Sequence, residues 1–395
     1  MDTLWRSGDA TQITRLDPDG GAEVQLSSES QPFSFLEAIR LADNGAKKAL
    51  APLVANFLSS SWRSEPSKPR ISAEDFESIT PLLLKSGAAA LGWWRVRHSE
   101  LREFAAAEEL RSAYHLHSIQ AAIHRKQIEE VISLLNAAGV EPVLVKGWAV
   151  ARFYPEPGLR PFGDIDLCIL PEHYLRSADV VRTLDAIEYN IDLHEGFAKL
   201  DDRRIDDLLA GSEAVCIGEA KFRVLGCEDQ LRILCTHLLK HGAWRPLWLC
   251  DIGAAVESRP AGFNWERCLG KDKRRADWVA CAIGLAHQLL DARVDDIPIG
   301  TRANHLPNWL IANVLKNWEQ PYPELYPPLS YVPQISSYLR HPRGLLKALR
   351  TRWPDPIEAT IRLKGPFNEM PRLPFQLGNA LWRLGRFLTR TQKDE

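Results

Sequence analysis

The chain has 395 residues, 45% hydrophobic and 25% charged, with a formal net charge of −2. That length accommodates two or three structural units around a large core, and the near-neutral balance gives no global pull toward nucleic acid or a membrane. No apolar run is long enough to span a bilayer, and the N-terminus lacks an apolar signal core, so the cytoplasm is the expected compartment.

Residues 1–30 are polar, with Thr11–Arg15 and Ala22–Leu26 expected to pair as a hairpin around the Asp-Pro-Asp-Gly-Gly segment. Helical periodicity runs over 34–58, followed by a Ser/Pro-rich linker over 59–71. Ser72, with Asp75 three residues on, opens a further helix in the manner of a capping box. An Ala/Leu/Glu-rich helix is expected from about Glu100 to Ala138, with Gly139 as its C-cap.

The texture then changes. Pro142–Val145 reads as a short strand, Lys146-Gly147 as its turn and Trp148–Phe153 as one or two helical turns. A Pro/Gly loop leads to a second strand, Asp164–Leu170, then a helix, Pro171–Ile187, and a third strand, Tyr189–His194. Beyond about residue 200 the chain is mostly helical. The exception is a hairpin of Glu213–Ile217 with Lys221–Leu225, turned by Gly218-Glu219-Ala220; a helix from Glu228 to about His241 follows. Between Arg340 and Lys393 twelve Lys/Arg face three Asp/Glu, a balance of +9. Leu377, Leu381, Leu384 and Leu388 fall there at helical spacing, with Arg383, Arg386 and Arg390 nearby. The plain reading is an amphipathic helix docked on the body; a membrane surface or nucleic acid is the alternative partner for this basic tail.

The seven cysteines form no CxxC pair and are odd in number, which suits reduced core thiols better than a disulfide frame or a zinc site. The element order implies an α/β (α+β) core with a small mixed sheet, flanked by mainly helical N- and C-terminal regions. The expected divisions are a helical region over 1–115, the α/β core over 116–200, a hairpin with a helical domain over 201–330, and the basic tail over 331–395.

The chemistry concentrates in Arg160-Pro-Phe-Gly-Asp-Ile-Asp-Leu167. Asp164 and Asp166 stand two apart on an expected strand, so their carboxylates share a face while Ile165 and Leu167 turn into the core. Like charges so close call for a cation, and carboxylate oxygens suit a hard one such as Mg²⁺, with Mn²⁺ as a substitute. Asp192, in Tyr189-Asn-Ile-Asp-Leu-His194, would complete a triad if its strand lies beside the first, giving room for two metals. Lys146 and Arg160 are natural counter-charges for a triphosphate, and the Lys146-Gly147 turn and Gly163 allow close backbone approach to phosphate. The structural alternatives are a lysine that snorkels from its strand end and an arginine that orients the two aspartates.

His237 and His241 lie four apart, a metal-ligand spacing, but the Glu of HExxH is missing and Lys240 stands beside them. They read as residues that pack on the catalytic unit or face the nucleotide. His194 shares the face of Asp192. Its plain reading is a histidine at a solvated strand end, with orientation of Asp192 or contact with substrate as the alternatives.

Leu144-Val-Lys-Gly147, Tyr154-Pro, Arg160-Pro-Phe-Gly-Asp-Ile-Asp-Leu167 and Ile191-Asp-Leu-His194 together resemble the uncharacterised bacterial nucleotidyltransferase family of the DNA polymerase β-type superfamily. The likeness runs over about residues 115–255 and takes in Glu228-Asp229, His237–His241 and Asp251. It implies that Asp164 and Asp166 are metal ligands, that Asp192 is the third carboxylate and general base, and that Gly147 takes the glycine place of the phosphate-side turn. Two departures stand out: Trp148 follows Gly147 where the superfamily has Ser or Gly, and the interval from Asp166 to Asp192 is short. The resemblance implies transfer of a nucleoside monophosphate from an NTP, ATP included, to an acceptor that is a small molecule, peptide, protein or tRNA. The other readings are a catalytically silent nucleotide-binding scaffold and a kinase-like phosphoryl transfer.

Overall fold

The structure is a computed structural model that describes residues 13–16, 22–25, 49–184, 189–197, 200, 202–294, 297–320 and 353–391. The helical periodicity expected over 34–48 and the first part of the basic tail lie outside these residues; the helix expected over Pro171–Ile187 ends at Val181, and residues 182–184 form a turn instead. The chain divides into two compact units, Met1–Ala49 with Ala89–Gln230, and Leu50–Ala88 with Leu231–Glu395. Each is assembled from two separated stretches, and the core expected over 116–200 falls wholly within the first.

In the first unit, β1 (Ile13–Leu16) and β2 (Ala22–Gln25) pair antiparallel, with Ile13 opposite Gln25, as the hairpin reading expects. The remaining strands are β3 (Val143–Leu144), β4 (Ile165–Ile169), β5 (Ile191–Glu195), β6 (Glu213–Ile217) and β7 (Ala220–Val224). They form one mixed sheet in the order β5-β4-β3-β7-β6. β4 is buried at all five positions because it lies between two strands and is covered on its faces, whereas β5 is an edge strand that leaves Glu195 exposed. Ile217 pairs with Ala220, so the hairpin turn is the two residues Gly218-Glu219 and the second strand begins one residue earlier than expected. Gly218 has φ of 56°, the positive value such a turn requires.

The helix Ala105–Ala137 supplies the other half of this core. Ile128, Val131, Ile132 and Leu135 recur at helical spacing and join Leu144, Ile165, Leu167, Ile169, Phe222 and Val224 in one buried cluster. A 3₁₀ turn, Glu100–Glu103, precedes that helix, so the single helix expected from Glu100 is broken at Phe104. Gly139 follows its end with φ of 74°, as a C-cap glycine should.

The second unit is helical in its described residues. Its elements include Ala51–Leu58, Ala73–Lys85, Pro246–Glu257, Lys273–Leu290, Asn308–Glu319, Pro356–Arg362 and Leu373–Thr391. Ser72 caps its helix as expected, accepting a hydrogen bond from the Asp75 backbone N–H at 3.1 Å. The Ser/Pro-rich stretch expected to be a linker is partly core instead. Ser60, Ser61 and Trp62 are buried, and Gly253 leaves room for the Trp62 ring, which lies 2.6 Å from where a Cβ would stand. The C-terminal amphipathic helix packs on Pro356–Arg362 through Arg383, whose guanidinium donates to Glu358 Oε1 at 2.7 Å, and through the buried Asn379. Leu373, Leu377, Leu381 and Leu384 on its other side are exposed. Among the described residues no helix is long and apolar enough to cross a membrane.

Arg63 donates to both Glu257 carboxylate oxygens, at 2.7 and 2.8 Å, and to the Asp291 carbonyl at 2.8 Å. This bidentate pair ties the chain after the first helix of the unit to the end of Pro246–Glu257. Arg63→Ala should lower the unfolding free energy by about 2 kcal/mol, the scale of a partly buried charged pair with its hydrogen bonds. A denaturant titration of the variant that gave an unchanged midpoint would remove the pair from any structural role.

Candidate functional site

The sheet brings three of the sequence-selected residues together. β4 and β5 run parallel with Asp166 directly opposite Asp192, and β3 lies antiparallel on the other side of β4, with the Val145 N–H donating to the Asp166 carbonyl at 3.0 Å. Lys146, the next residue, therefore leaves the sheet beside Asp166, and its ammonium donates to Asp166 Oδ1. Asp164 sits one residue before β4, so the pair expected on one strand is a loop carboxylate and a strand carboxylate.

The turn after β3 is tight. Lys146 has φ of 51° and ψ of −141°, and Gly147 has φ of 31°. A lysine in that region carries local strain of about 1–3 kcal/mol, which surrounding contacts must offset. At Gly147 a Cβ would lie 3.3 Å from the Asp164 carbonyl oxygen and 3.6 Å from the Phe162 ring. The glycine therefore lets the turn press against the carboxylate loop. Gly163 is exposed with open space around it, and its carbonyl accepts a hydrogen bond from the Asn190 side chain at 2.9 Å.

His194 is placed differently from its plain reading. Its Nε2 lies 3.2 Å from Asp166 Oδ1 and 3.0 Å from Asp192 Oδ2, so it bridges the two carboxylates instead of ending a solvated strand. The signal was present in the sequence: Asp192 and His194 share a strand face, as the register with β4 then requires.

Electrostatics follow from this packing. Burial alone would push the Asp166 carboxyl up, but Lys146 and His194 outweigh it and hold its pKa at about 2. Burial pulls the Lys146 ammonium down, and Asp166, with help from Asp164 and Asp192, more than reverses this, so its pKa lies above the ordinary lysine value. His194 is pulled down by burial and raised by its two carboxylate partners to about 9. Asp164 goes the other way: burial and the neighbouring Asp166 raise its pKa, against smaller opposing effects of Lys146 and Arg160. Arg160 is buried within Coulomb reach of Asp164.

The donor set suits a divalent cation. Asp166, Asp192 and His194 can present ligand atoms all within 4.8 Å of one another. Asp166 Oδ2 and Asp192 Oδ1 are buried without a hydrogen-bond partner, the condition of carboxylate oxygens that await a cation. Asp164 adds a further carboxylate near them.

His237 and His241 lie in the helical unit, where their rings pack at 4.6 Å from each other and at 4.6 and 5.4 Å from Trp248. Asp229 belongs to the sheet unit; it is fully buried and lies 2.7 Å from the Arg203 guanidinium, a structural ion pair. The seven cysteines are thiols outside any disulfide; five are buried, Cys227 is half-buried and Cys216 on β6 is exposed.

A family model described as uncharacterised nucleotidyltransferase matches residues 72–291. Neither the curated proteins nor the solved structures give a match.

Proposed function

The chain belongs to the uncharacterised nucleotidyltransferase family, and from that premise we propose that it transfers a nucleoside monophosphate from an NTP to an acceptor hydroxyl or phosphate and releases pyrophosphate. The observation that carries this reading is the register of β4 with β5, which sets the Asp166 and Asp192 carboxylates side by side with buried oxygens free. Asp164, Asp166 and Asp192 would hold the divalent cation or cations. A bound cation of this kind supplies charge neutralisation at the triphosphate and the leaving pyrophosphate.

The residues of the chain divide the remaining work. Lys146 keeps Asp166 ionised, so that a ligand is ready at neutral pH. Arg160 and Lys146 contribute positive charge toward the triphosphate. Asp192, on the edge strand β5, accepts the proton from the acceptor hydroxyl. The turn at Lys146-Gly147 holds the carboxylate loop close to β3, and catalysis is mainly positioning and charge stabilisation.

NTP binding should therefore strengthen by about tenfold or more on adding Mg²⁺ or Mn²⁺, a coupling near 1.4 kcal/mol. Isothermal calorimetry with each NTP checks this, and equal affinity with and without metal would count against the site. The reaction itself is tested by incubating the protein with each α-³²P-labelled NTP and Mg²⁺ in a cell extract. Label on an acceptor together with pyrophosphate is the expected outcome. A nucleoside diphosphate product would instead identify phosphoryl transfer, and binding without turnover a nucleotide sensor. The acceptor, whether a small molecule, peptide, protein or tRNA, is what the labelled product identifies.

A further inference from the structure

His194 does not fit the role of an ordinary hydrogen-bonding partner. A single imidazole Nε2 stands 3.0 Å from one carboxylate and 3.2 Å from the other. Its one Nε2–H is shared between two acceptors, so neither hydrogen bond is made in full. With Lys146 also on Asp166 Oδ1, two buried oxygens, Asp166 Oδ2 and Asp192 Oδ1, are still left without a partner. Cations crowd one side of the cluster while acceptor capacity on the other is unused.

The spacing has another meaning. Donor atoms on adjacent vertices of an octahedral cation with bonds near 2.1 Å are about 3 Å apart. His194 Nε2 keeps that distance to both carboxylates, and the three residues offer ligand atoms within 4.8 Å of one another. β5 positions His194 for this because Asp192 and His194 are two apart on one strand face, beside Asp166 in register.

We propose that His194, giving up its Nε2 proton to solvent as the cation enters, is itself a metal ligand, so that Asp166, Asp192 and His194 form a mixed oxygen–nitrogen set that ranks first-row transition cations above Mg²⁺. This rests on the nucleotidyl-transfer reading and names the class of cation its site takes. Mg²⁺ is a hard ion that favours all-oxygen surroundings and keeps its water, whereas an imidazole nitrogen strengthens binding of first-row transition ions. His194 thereby biases a carboxylate site, which by itself would be a magnesium site.

The test uses the full chain with Mn²⁺, alone and with the α,β-methylene analogues of the four NTPs. Pulsed electron paramagnetic resonance should detect an imidazole ¹⁴N coupled to bound Mn²⁺. The coupling should vanish in His194→Gln and in His194→Asn, with circular dichroism as the folding control. Displacement of Mn²⁺ by Mg²⁺, read from the free Mn²⁺ signal, should need at least about tenfold excess in the wild type and several-fold less in the variants. Bound Mn²⁺ without ¹⁴N coupling, coupling that persists in the variants, or the same Mn²⁺/Mg²⁺ ratio in all three proteins overturns the proposal and leaves nucleotidyl transfer standing. Absence of Mn²⁺ binding even with the analogues overturns both. The wild-type spectrum is decisive by itself if a variant does not fold.

Discussion

Asp166→Asn and Asp164→Asn are expected to stop turnover alike and to move stability in opposite directions. Each removes a carboxylate charge from the proposed metal site, and the loss of metal charge stabilisation corresponds to about a thousandfold or more in rate. The stability effects differ because the two carboxylates have different neighbours. Asp166 is 1% exposed and pairs with Lys146 and His194. Asparagine there strands a buried ammonium, which costs about 3 kcal/mol or more. Sequence reasoning alone points the other way, since two aspartates in one short segment suggest only repulsion. At Asp164 that simple view holds: burial and Asp166 raise its pKa, so the folded protein disfavours its charged form, and asparagine relieves that. Urea unfolding of both variants beside an assay for pyrophosphate separates the two effects. Full turnover by Asp166→Asn would end the nucleotidyl-transfer reading. Wild-type stability in the same variant would show that the pair with Lys146 contributes nothing to the fold.

Lys146→Met is expected to be as damaging to stability as Asp166→Asn, by about 3 kcal/mol, because it leaves the Asp166 carboxylate buried without its main cation. The double variant Lys146→Met with Asp166→Asn should recover a substantial part of the loss, since neither buried charge is then stranded. A coupling of about 1–3 kcal/mol in that cycle would be typical of a buried pair. The pH dependence has a definite sign. Asp166 is held at about 2, below its value in an unfolded chain, so its contribution is complete above the ordinary aspartate range and is lost as pH falls toward 2. The gap between wild type and Lys146→Met should therefore narrow on acidification from pH 5 toward about 2. A gap constant across that window, or strict additivity in the cycle, would refute the assignment of Lys146 as the counter-charge of Asp166.

Much of the sheet unit was legible because its signals are local. Val143–Leu144, Ile165–Ile169 and Ile191–Glu195 are short apolar or alternating runs between turn residues, and each strand appeared within a residue or two of its expected bounds. Ser72 and Gly139 marked helix ends by capping chemistry that acts within three or four residues. The stretch at 59–71 misled for the same reason. Serine and proline describe local backbone preference, but the burial of Trp62 against Gly253 is a contact across nearly two hundred residues of chain.

At the site, the two-residue spacing of Asp164 and Asp166, and a lysine and a glycine at the end of the preceding strand, are local features that can be read along the chain. The family can be read there as well. The pairings come from the packing of the sheet. Nothing in the order of residues states that Asp166 lies opposite Asp192, that Lys146 serves Asp166 before any phosphate, or that His194 reaches both aspartates. Spacing along a strand settles which way a side chain faces, while hydrogen bonding between strands settles what it faces. In β4 and β5 the register is held by the buried side chains of Ile165, Leu167, Ile169 and Leu193, because a slip of one residue would turn that apolar set out of the core and the carboxylates into it.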